Sequence, residues 1–480
     1  MRPACRADRG REAMVQRTGG GARVVRGRIA GALFVRSMCA WAAFGLLASG
    51  EPAQATGFFI NQQSVRGLGR VDAGNTVAAD DLSTIFFNPA GLAELWRGKS
   101  ARDTDTLYSF GAQLIIPRSD QHNTGSLAAT PFTLGMSVPY AGVDSHNPTD
   151  PTPIPNIYIA HRLSGGQGYI GAGVNAPFGL DASFRQDWFG RYDALEASLR
   201  TVNLGVVGAY QVSPGFSIGG GIDVQYARSK LSSAIPNPLT PGGPTAATDA
   251  RIETSGSAWT PGFNVGVLFQ ADAATRIGLH YRSAMEHKIS GTATVSGFTG
   301  FLAAANGAVS ASAKLKLPEI ATLGIARKAT DRLTLFAELE WYGWSRLNET
   351  RIQFADGRPD AVRTANFRDT LAFALGAEYN VNDALALRGG VIYERTPTVD
   401  AFRDTSFPDS DRMALGLGAT YRISPAVNLD FAYDHVWFRN TNIAVTRTFF
   451  DGTPLASSVT VNSAVRSSLD TVSIQLRYGF

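Results

Sequence analysis

The sequence predicts an all-β fold: a 14-stranded antiparallel outer-membrane β-barrel whose lumen is plugged by an N-terminal segment. Three observations predict it. Period-two alternation of apolar and polar or small residues recurs in fourteen segments. The connections between these segments alternate strictly between short and long, the pattern of an up-and-down membrane barrel. The composition also fits: Gly is 51 of 480 residues and charge only 18%, so tight turns are many and solvated faces few.

The first 55 residues stand apart. They carry nine Arg against Asp8, Glu12 and Glu51, a net of +6. Subtracting from 44 basic and 40 acidic residues leaves 35 and 37, a net of −2 for 56–480. The basic pI therefore belongs to the leader and points to no nucleic-acid partner. Arg26, Arg28 and Arg36 precede an apolar run over 38–48, and Ala53-Gln54-Ala55 follows it. Basic region, short apolar region and A-x-A site read as a signal peptide over 1–55, cut after Ala55. The Arg/Gly-rich stretch before residue 30 is long for such a region and reads as an over-extended start. Cys5 and Cys39 both lie in the leader, so no disulfide scaffold, Cys-ligated zinc or cysteine nucleophile belongs to the rest.

Residues 56–100 show no sustained alternation. Short apolar words (Phe58-Phe59-Ile60, Val77-Ala78-Ala79, Ile85-Phe86-Phe87) are separated by turn residues. Such a segment is too apolar for a free tail, and a plug inside the lumen accommodates it. The barrel then occupies 101–480.

The fourteen strands are read at about 107–116, 154–162, 168–177, 199–211, 216–229, 258–271, 275–289, 315–328, 332–346, 367–381, 384–396, 411–423, 426–440 and 469–480. In 426–438, Val427, Leu429, Phe431, Tyr433, His435 and Trp437 alternate with Asn428, Asp430, Ala432 and Asp434. Short turns fall at Leu163–Gln167, Val212–Gly215, Asp272–Ala274, Ala329–Asp331, Asn382–Asp383 and Ser424–Pro425. Long loops cover 117–153, 178–198, 230–257, 290–314, 347–366, 397–410 and 441–468. A soluble sandwich would point the apolar face inward, whereas a membrane barrel points it at lipid. Small residues on the other face and aromatics near strand ends (Trp341, Trp344, Trp437, Phe438) favour the barrel.

Several words now resemble a known family. Thr56-Gly57-Phe58-Phe59-Ile60-Asn61, Gly67-Leu68-Gly69-Arg70, Ala78-Ala79-Asp80-Asp81-Leu82-Ser83-Thr84 and Phe87-Asn88-Pro89-Ala90-Gly91 are similar to the N-terminal hatch of the FadL-type long-chain fatty acid transporters. That outer-membrane family includes aromatic-hydrocarbon importers. Pro155-Asn156-Ile157-Tyr158, Gly171–Leu180, Gly190-Arg191-Tyr192 and the final Tyr478-Gly479-Phe480 fit the same resemblance. It implies a passive channel for hydrophobic molecules, with a hydrophobic small-molecule substrate, no cofactor and no enzymatic role. It also implies that Phe480 is read by the barrel assembly machinery. A monomer in contact with outer-membrane lipid and lipopolysaccharide is expected.

The candidate site residues each have a plainer reading. Asn88-Pro89-Ala90 is a turn word; the resemblance places it in the hatch beside a lateral exit. Asp80 and Asp81 are either hatch-to-wall contacts or a turn and cap. Asn175, Pro177, Phe178 and Gly179 interrupt the third strand, because proline removes a ladder donor. Either the strand ends there or, as the resemblance implies, it kinks and leaves a gap in the wall. Phe298, Phe301 and Leu302 in one loop and Ile235 and Leu239 in another are apolar where a solvated cap is expected. They either capture substrate or pack on each other. Arg228, Arg282, Arg327 and Arg388 are assigned to the lumen as head-group partners, or as partners of lumen acids such as Asp223, Glu338, Glu340 and Glu378.

Two motif matches are set aside. Gly215-Phe216-Ser217-Ile218-Gly219 opens a strand, whereas a nucleophile elbow needs strand–turn–helix. Gly166–Gly171 matches a dinucleotide fingerprint, but no helix follows. The six His lack metal spacing. The sequence thus reads as a passive importer of long-chain fatty acids or related hydrocarbons, by outer-loop capture, lumen binding and lateral exit. The alternatives are an importer of aromatic hydrocarbons and, less favoured, a non-specific porin.

Overall fold

The computed structural model describes residues 57–97 and 104–480; the leader reading lies outside the described residues. Fourteen wall strands run antiparallel around one closed ladder. They are β1 (Thr106–Asn123), β2 (Thr152–Arg162), β3 (Gly168–Asn175, continued by Gly179–Ser183), β4 (Glu196–Ser213), β5 (Phe216–Ile235), β6 (Ala250–Gln270) and β7 (Thr275–Arg282 with Met285–Ser296). Then follow β8 (Gly307–Leu317 with Ile320–Lys328), β9 (Leu333–Tyr342 with Glu349–Phe354), β10 (Ala361–Thr364 with Thr370–Asn380), β11 (Leu385–Glu394), β12 (Arg412–Ser424), β13 (Val427–Phe438) and β14 (Ser457–Tyr478). β14 closes the barrel on β1 over sixteen rungs, from Tyr108–Tyr478 to Asn123–Ser463. Closure pairs most of the wall backbone strand to strand and leaves no free sheet edge; the ladder is interrupted between β2 and β3 and between β8 and β9.

The alternation runs in the inverted sense. In β14, Val472, Ile474, Leu476 and Tyr478 face outward, while Thr471, Ser473, Gln475 and Arg477 are buried inside. β13 repeats this, with Phe431, Tyr433 and Trp437 outside and Asp430, Ala432 and Asp434 inside. Among the described residues no helix is long and apolar enough to cross a membrane; the strands are the crossing elements.

Several strands outrun their sequence limits. β4, β5, β6 and β14 begin or end within 178–198, 230–257 and 441–468, all read as loops. The apolar alternation stops where lipid stops, but the ladder continues into water, where polar outward residues cost nothing. The last strand ends at Tyr478, and Phe480 lies 4.9 Å from the Arg477 guanidinium.

Residues 57–97 fill the lumen. Three one-turn helices, Val65–Leu68, Asn75–Ala78 and Thr84–Phe87, precede a 3₁₀ segment over Pro89–Trp96. Ser64 caps the first, accepting from the Gly67 N–H at 2.9 Å. Isolated helices this short are unstable; here the lumen wall buries them almost completely. Because the ladder is closed, an unboiled sample of the mature barrel is expected to migrate differently on a denaturing gel from a boiled one. A single unchanged band, with solubility in the absence of detergent, would contradict this architecture.

Candidate functional site: lumen cavity, hatch seat and strand-three break

Above the hatch lies a cavity of about 170 Å³. Leu180, Leu199, Leu315 and Leu347 line its sides, and Phe58, Phe367 and Phe407 its floor. The floor is a ring cluster: Phe58 stands edge-on to Trp344 at 4.9 Å and to Phe407 at 5.5 Å. Gly57 holds φ +60°, and a Cβ there would collide with the Trp344 ring, so glycine is what lets the chain enter beside that tryptophan. Arg363 and Asp404 stand at the cavity's polar rim. Sequence reading singled out the 56–60 word of this floor, and Trp344 only as an aromatic near a strand end. Phe367, read as the first residue of the 367–381 strand, lies between the two halves of β10, and Phe407 comes from the loop before β12; sequence reading singled out neither as a site residue.

β3 breaks where Asn175, Pro177, Phe178 and Gly179 were read to break it. Its ladder with β2 ends at the Val174–Ile157 rung. Higher up, Ser183 N–H donates to the Pro148 carbonyl at 2.7 Å. Between these points, among the described residues, β2 and β3 share no rung. The broken backbone is partnered elsewhere. Ile60 N–H donates to the Pro177 carbonyl at 2.8 Å and Gly179 N–H to the Phe58 carbonyl at 2.9 Å. The Thr201 hydroxyl accepts from Phe178 N–H and donates to the Phe178 carbonyl. The hatch strip facing this break is therefore Phe58–Ile60, not Asn88–Ala90 as the resemblance suggested.

Asn88, Pro89 and Ala90 sit against β5, β6 and β7. Asn88 Nδ2 donates to the carbonyls of Thr76 (2.8 Å) and Val267 (3.0 Å), and its Oδ1 accepts from Ala90 N–H. A Cβ at Gly219 would collide with Ala90, and one at Gly266 with Asn88. The Ser217 hydroxyl donates to the Ala90 carbonyl at 2.8 Å. The G-x-S-x-G word is thus a seat for the hatch turn. The other discounted word serves likewise: Gly171 gives room to Ile85.

Asp80 and Asp81 are hatch contacts. Asp81 accepts from Ser64 and, across to β14, from Gln475. Asp80 pairs with Arg66 at 2.8 Å and Arg70 at 2.9 Å. Burial pushes the Asp80 carboxyl up, but the two guanidiniums outweigh it and hold it well below the usual range. Arg66 continues the network to Glu378 (2.8 Å) on β10, Asp430 (3.5 Å) on β13 and the Thr420 hydroxyl on β12. Arg388 closes on Glu378, and Arg477 on Asp430.

The lumen arginines need correction. Arg228 points outward and is exposed; it lies five residues from inward-facing Asp223, so a regular strand puts the two on opposite faces. Arg327 is also exposed, at the short-turn rim, donating to the Thr275 hydroxyl at 2.7 Å. Arg282 does face the lumen, but it binds Asp223 at 2.6 Å and the Phe86 carbonyl at 2.8 Å. Its charge is committed to holding the hatch.

The outer-loop residues pack on each other. Phe298 and Leu302 are buried, and Ile235 and Leu239 close over them with Phe450 and Leu455. The third loop supplies the missing apolar partners, so this cluster lies apart from the lumen cavity. Phe301 alone of the five stays mostly exposed.

A polar clasp holds the loops above the cavity. Arg447 reaches the Asp193 carboxylate at 2.6 Å, and Thr405 donates to it through N–H and hydroxyl. Arg363 donates to the Asp193 carbonyl. Burial raises the Asp193 carboxyl, but Arg447, Arg363 and Thr405 outweigh it, leaving it below the usual range. Free Asp titrates near about 3.9. The clasp's contribution is therefore complete above roughly pH 4 and fades as pH falls through the lower folded value. Asp193→Asn is expected to cost the cap about 2 kcal/mol or more at neutral pH, read as faster amide exchange in 400–410 and 441–449. In wild type the protection factors there, exchange rates divided by the intrinsic rate at each pH, stay flat from pH 8 to about 5; a steep loss of protection within that window would refute the clasp.

A profile for the family described as "Outer membrane protein transport protein (OMPP1/FadL/TodX)" matches residues 46–480. The chain belongs to this family. It is 26% identical over 460 residues to outer membrane protein P1 of Haemophilus influenzae, covering 91% of this chain and 97% of that protein. It is 26% identical over 410 residues to the long-chain fatty acid transport protein of Salmonella typhi, covering 82% and 89%. Among solved structures, a Pseudomonas aeruginosa FadL homologue superposes with a TM-score of 0.78 at 20% identity, covering 88% of this chain and 99% of that one. The Ralstonia pickettii toluene transporter TbuX superposes at 0.58 and 19%, covering 87% and 98%; at such identities both give the fold alone. This FadL/TodX-family chain is an outer-membrane β-barrel with a transport role for hydrophobic compounds, and not an enzyme.

Proposed function

We propose that the barrel passively imports long-chain fatty acids or related hydrocarbons, which bind in the lumen cavity and leave sideways at the β3 break. The apolar cavity seated directly on the hatch carries this reading. Leucines offer an acyl chain its walls; Arg363 lines the cavity too, and a carboxylate there would share it with Asp404 at 3.8 Å and the Asp193 carbonyl. Phe58 of the hatch lines the cavity, and the strip Phe58–Ile60 that carries it partners the break, so a movement of that strip would join the two. A second reading, import of aromatic hydrocarbons, is favoured by the ring-lined floor. A non-specific porin fits poorly with a lumen filled by 57–97.

In this reading residues 1–55 are a leader removed on export, the barrel is monomeric among outer-leaflet lipids, and Phe480 is read by the assembly machinery. Saturation binding to the purified barrel is the test. Oleate is expected to bind at one site, and Phe367→Ala to weaken it by about tenfold or more, the loss of one buried ring. Saturable toluene binding with no oleate binding would select the aromatic reading. Neither ligand binding would remove both.

A further inference from the structure

The chain has only six lysines, at 99, 230, 288, 314, 316 and 328. Three of them, Lys288, Lys314 and Lys316, project outward from neighbouring strands β7 and β8, and all are exposed. Lys288 and Lys314 stand directly opposite as a rung pair. Like charges so placed repel each other, and the local acids do not relieve this. Glu286 reaches Lys314 only at 3.7 Å. Among the described residues no carboxylate ion-pairs with Lys288 or Lys316. On β9, Arg351 flanks the group and is itself paired with Glu349 and Asp360.

The level of this cluster identifies its surroundings. The last outer β6–β7 rung is Ser257–Ser290. Two residues toward the membrane on each strand lie Trp259 and Lys288. Trp259 is outward-facing and packs on Tyr226 at 5.1 Å. Below it the outward face of β6 is Phe263, Val265 and Phe269. An aromatic pair above an apolar band marks the membrane interface, and the long loops mark this side as the outer one. The lysines therefore stand at the head-group level of the outer leaflet.

The wall is also open to hydrogen bonding there. The β8–β9 ladder stops at Ala313–Ile352 and resumes at Ile320–Tyr342. Among the described residues, 314–318 have no rung toward β9. An unpaired backbone is intolerable in hydrocarbon but acceptable against a polar head group. A hollow of about 330 Å³ occupies the place, lined by Lys288, Lys314, Lys316, Glu349 and Arg351.

We propose that Lys288, Lys314 and Lys316, flanked by Arg351, bind the phosphate groups of the outer leaflet's phosphorylated glycolipid. The lipid neutralises the opposed lysines and lays its acyl chains on the apolar band below. Ile289, Ser312, Ala313 and Lys314 line both this hollow and the lumen cavity, so competition with oleate separates the two sites. The test uses the mature barrel, stripped of co-purifying lipid in detergent and titrated with bisphosphorylated lipid A by native mass spectrometry. Replacing all three lysines (K288Q, K314Q, K316Q) is expected to weaken binding about 10- to 100-fold, as lysines near an anionic surface do. K328Q, at the opposite rim, is expected to change it less than twofold. Both variants should keep wild-type heat-modifiable gel mobility, since all four side chains are exposed. Dephosphorylated lipid A is expected to bind weakly and equally to all. Unchanged affinity in the triple variant would overturn the site. Displacement of lipid A by submillimolar inorganic phosphate would overturn the lipid as its occupant, and displacement by oleate would reassign it to a carboxylate.

Discussion

Arg66→Ala is expected to turn a closed plug into a leaking one. Arg66 is almost fully buried and touches Asp80 from its own hatch, Glu378 from β10 and Asp430 from β13. Removing it leaves those carboxylates buried around an empty place. Arg70, Arg388 and Arg477 still hold part of the charge, and Arg477 also reaches the Asp80 carbonyl at 3.3 Å, but of these four only Arg66 pairs with carboxylates of the hatch and of two wall strands. Breaking one partner of a buried ion pair costs about 3–5 kcal/mol, or more than a hundredfold in the balance between seated and unseated hatch. The wall ladder does not depend on this contact, so the barrel itself should still fold and keep its gel shift. Planar-bilayer recordings should show conducting events in the variant that are rare in wild type. Adding Glu378→Ala should not restore the closed state, because Glu378 keeps Arg388 at 2.6 Å and its loss would take that partner from Arg388. A variant as silent as wild type would mean that the apolar contacts of Phe58, Ile85 and Phe86 alone keep the hatch seated.

The wall was legible because one physical rule writes it. Lipid requires an apolar side chain at every second position, and Val472–Tyr478 or Val427–Trp437 obeys that rule without help from the rest of the chain. Outside lipid the rule lapses, so the outer ends of β5, β6 and β14 and the loop strand Thr441–Phe449 left no mark. Lumen assignments failed for a related reason. Arg228 and Asp223 differ in parity by simple counting, yet an arginine on the outward face is unexpected until one knows that its position is above the lipid. The hatch was visible as apolar words, but its partners were not. Gly219, Gly266 and Gly171 are marked by what they lack, and a missing side chain says nothing until the opposing backbone is in view. The cavity floor needed Phe367 from the middle of β10 and Phe407 from the loop before β12, and only the closed barrel brings these together.

Replacing Pro177 by valine and Gly179 by threonine is expected to abolish most uptake while leaving ligand binding intact. A hydrophobic molecule released into the periplasm would face water, at about 0.8 kcal/mol per methylene. For a long acyl chain that is on the order of 10 kcal/mol, a barrier no passive channel can supply. A sideways route into the membrane avoids it, and under the proposed function the β3 break is that route. There β2 and β3 share no rung from Val174–Ile157 up to the Ser183–Pro148 contact, among the described residues. Proline cannot donate at 177, so the wild-type strand cannot close this stretch fully even if it straightens. Valine restores the donor, and threonine favours the extended strand. The new rungs compete with the bonds from Ile60 to Pro177 and from Gly179 to Phe58, so the hatch strip loses its partner as the wall closes. Phe367, Phe407 and Leu199 are untouched, while Phe58 and Leu180 border the replaced segment, so oleate should still saturate the cavity with affinity within about tenfold of wild type. Transfer of oleate into reconstituted vesicles should fall at least tenfold. If a folded double variant delivers oleate at the wild-type rate, the molecule leaves by another path, and the remaining candidate is a passage between hatch and wall beside Asn88.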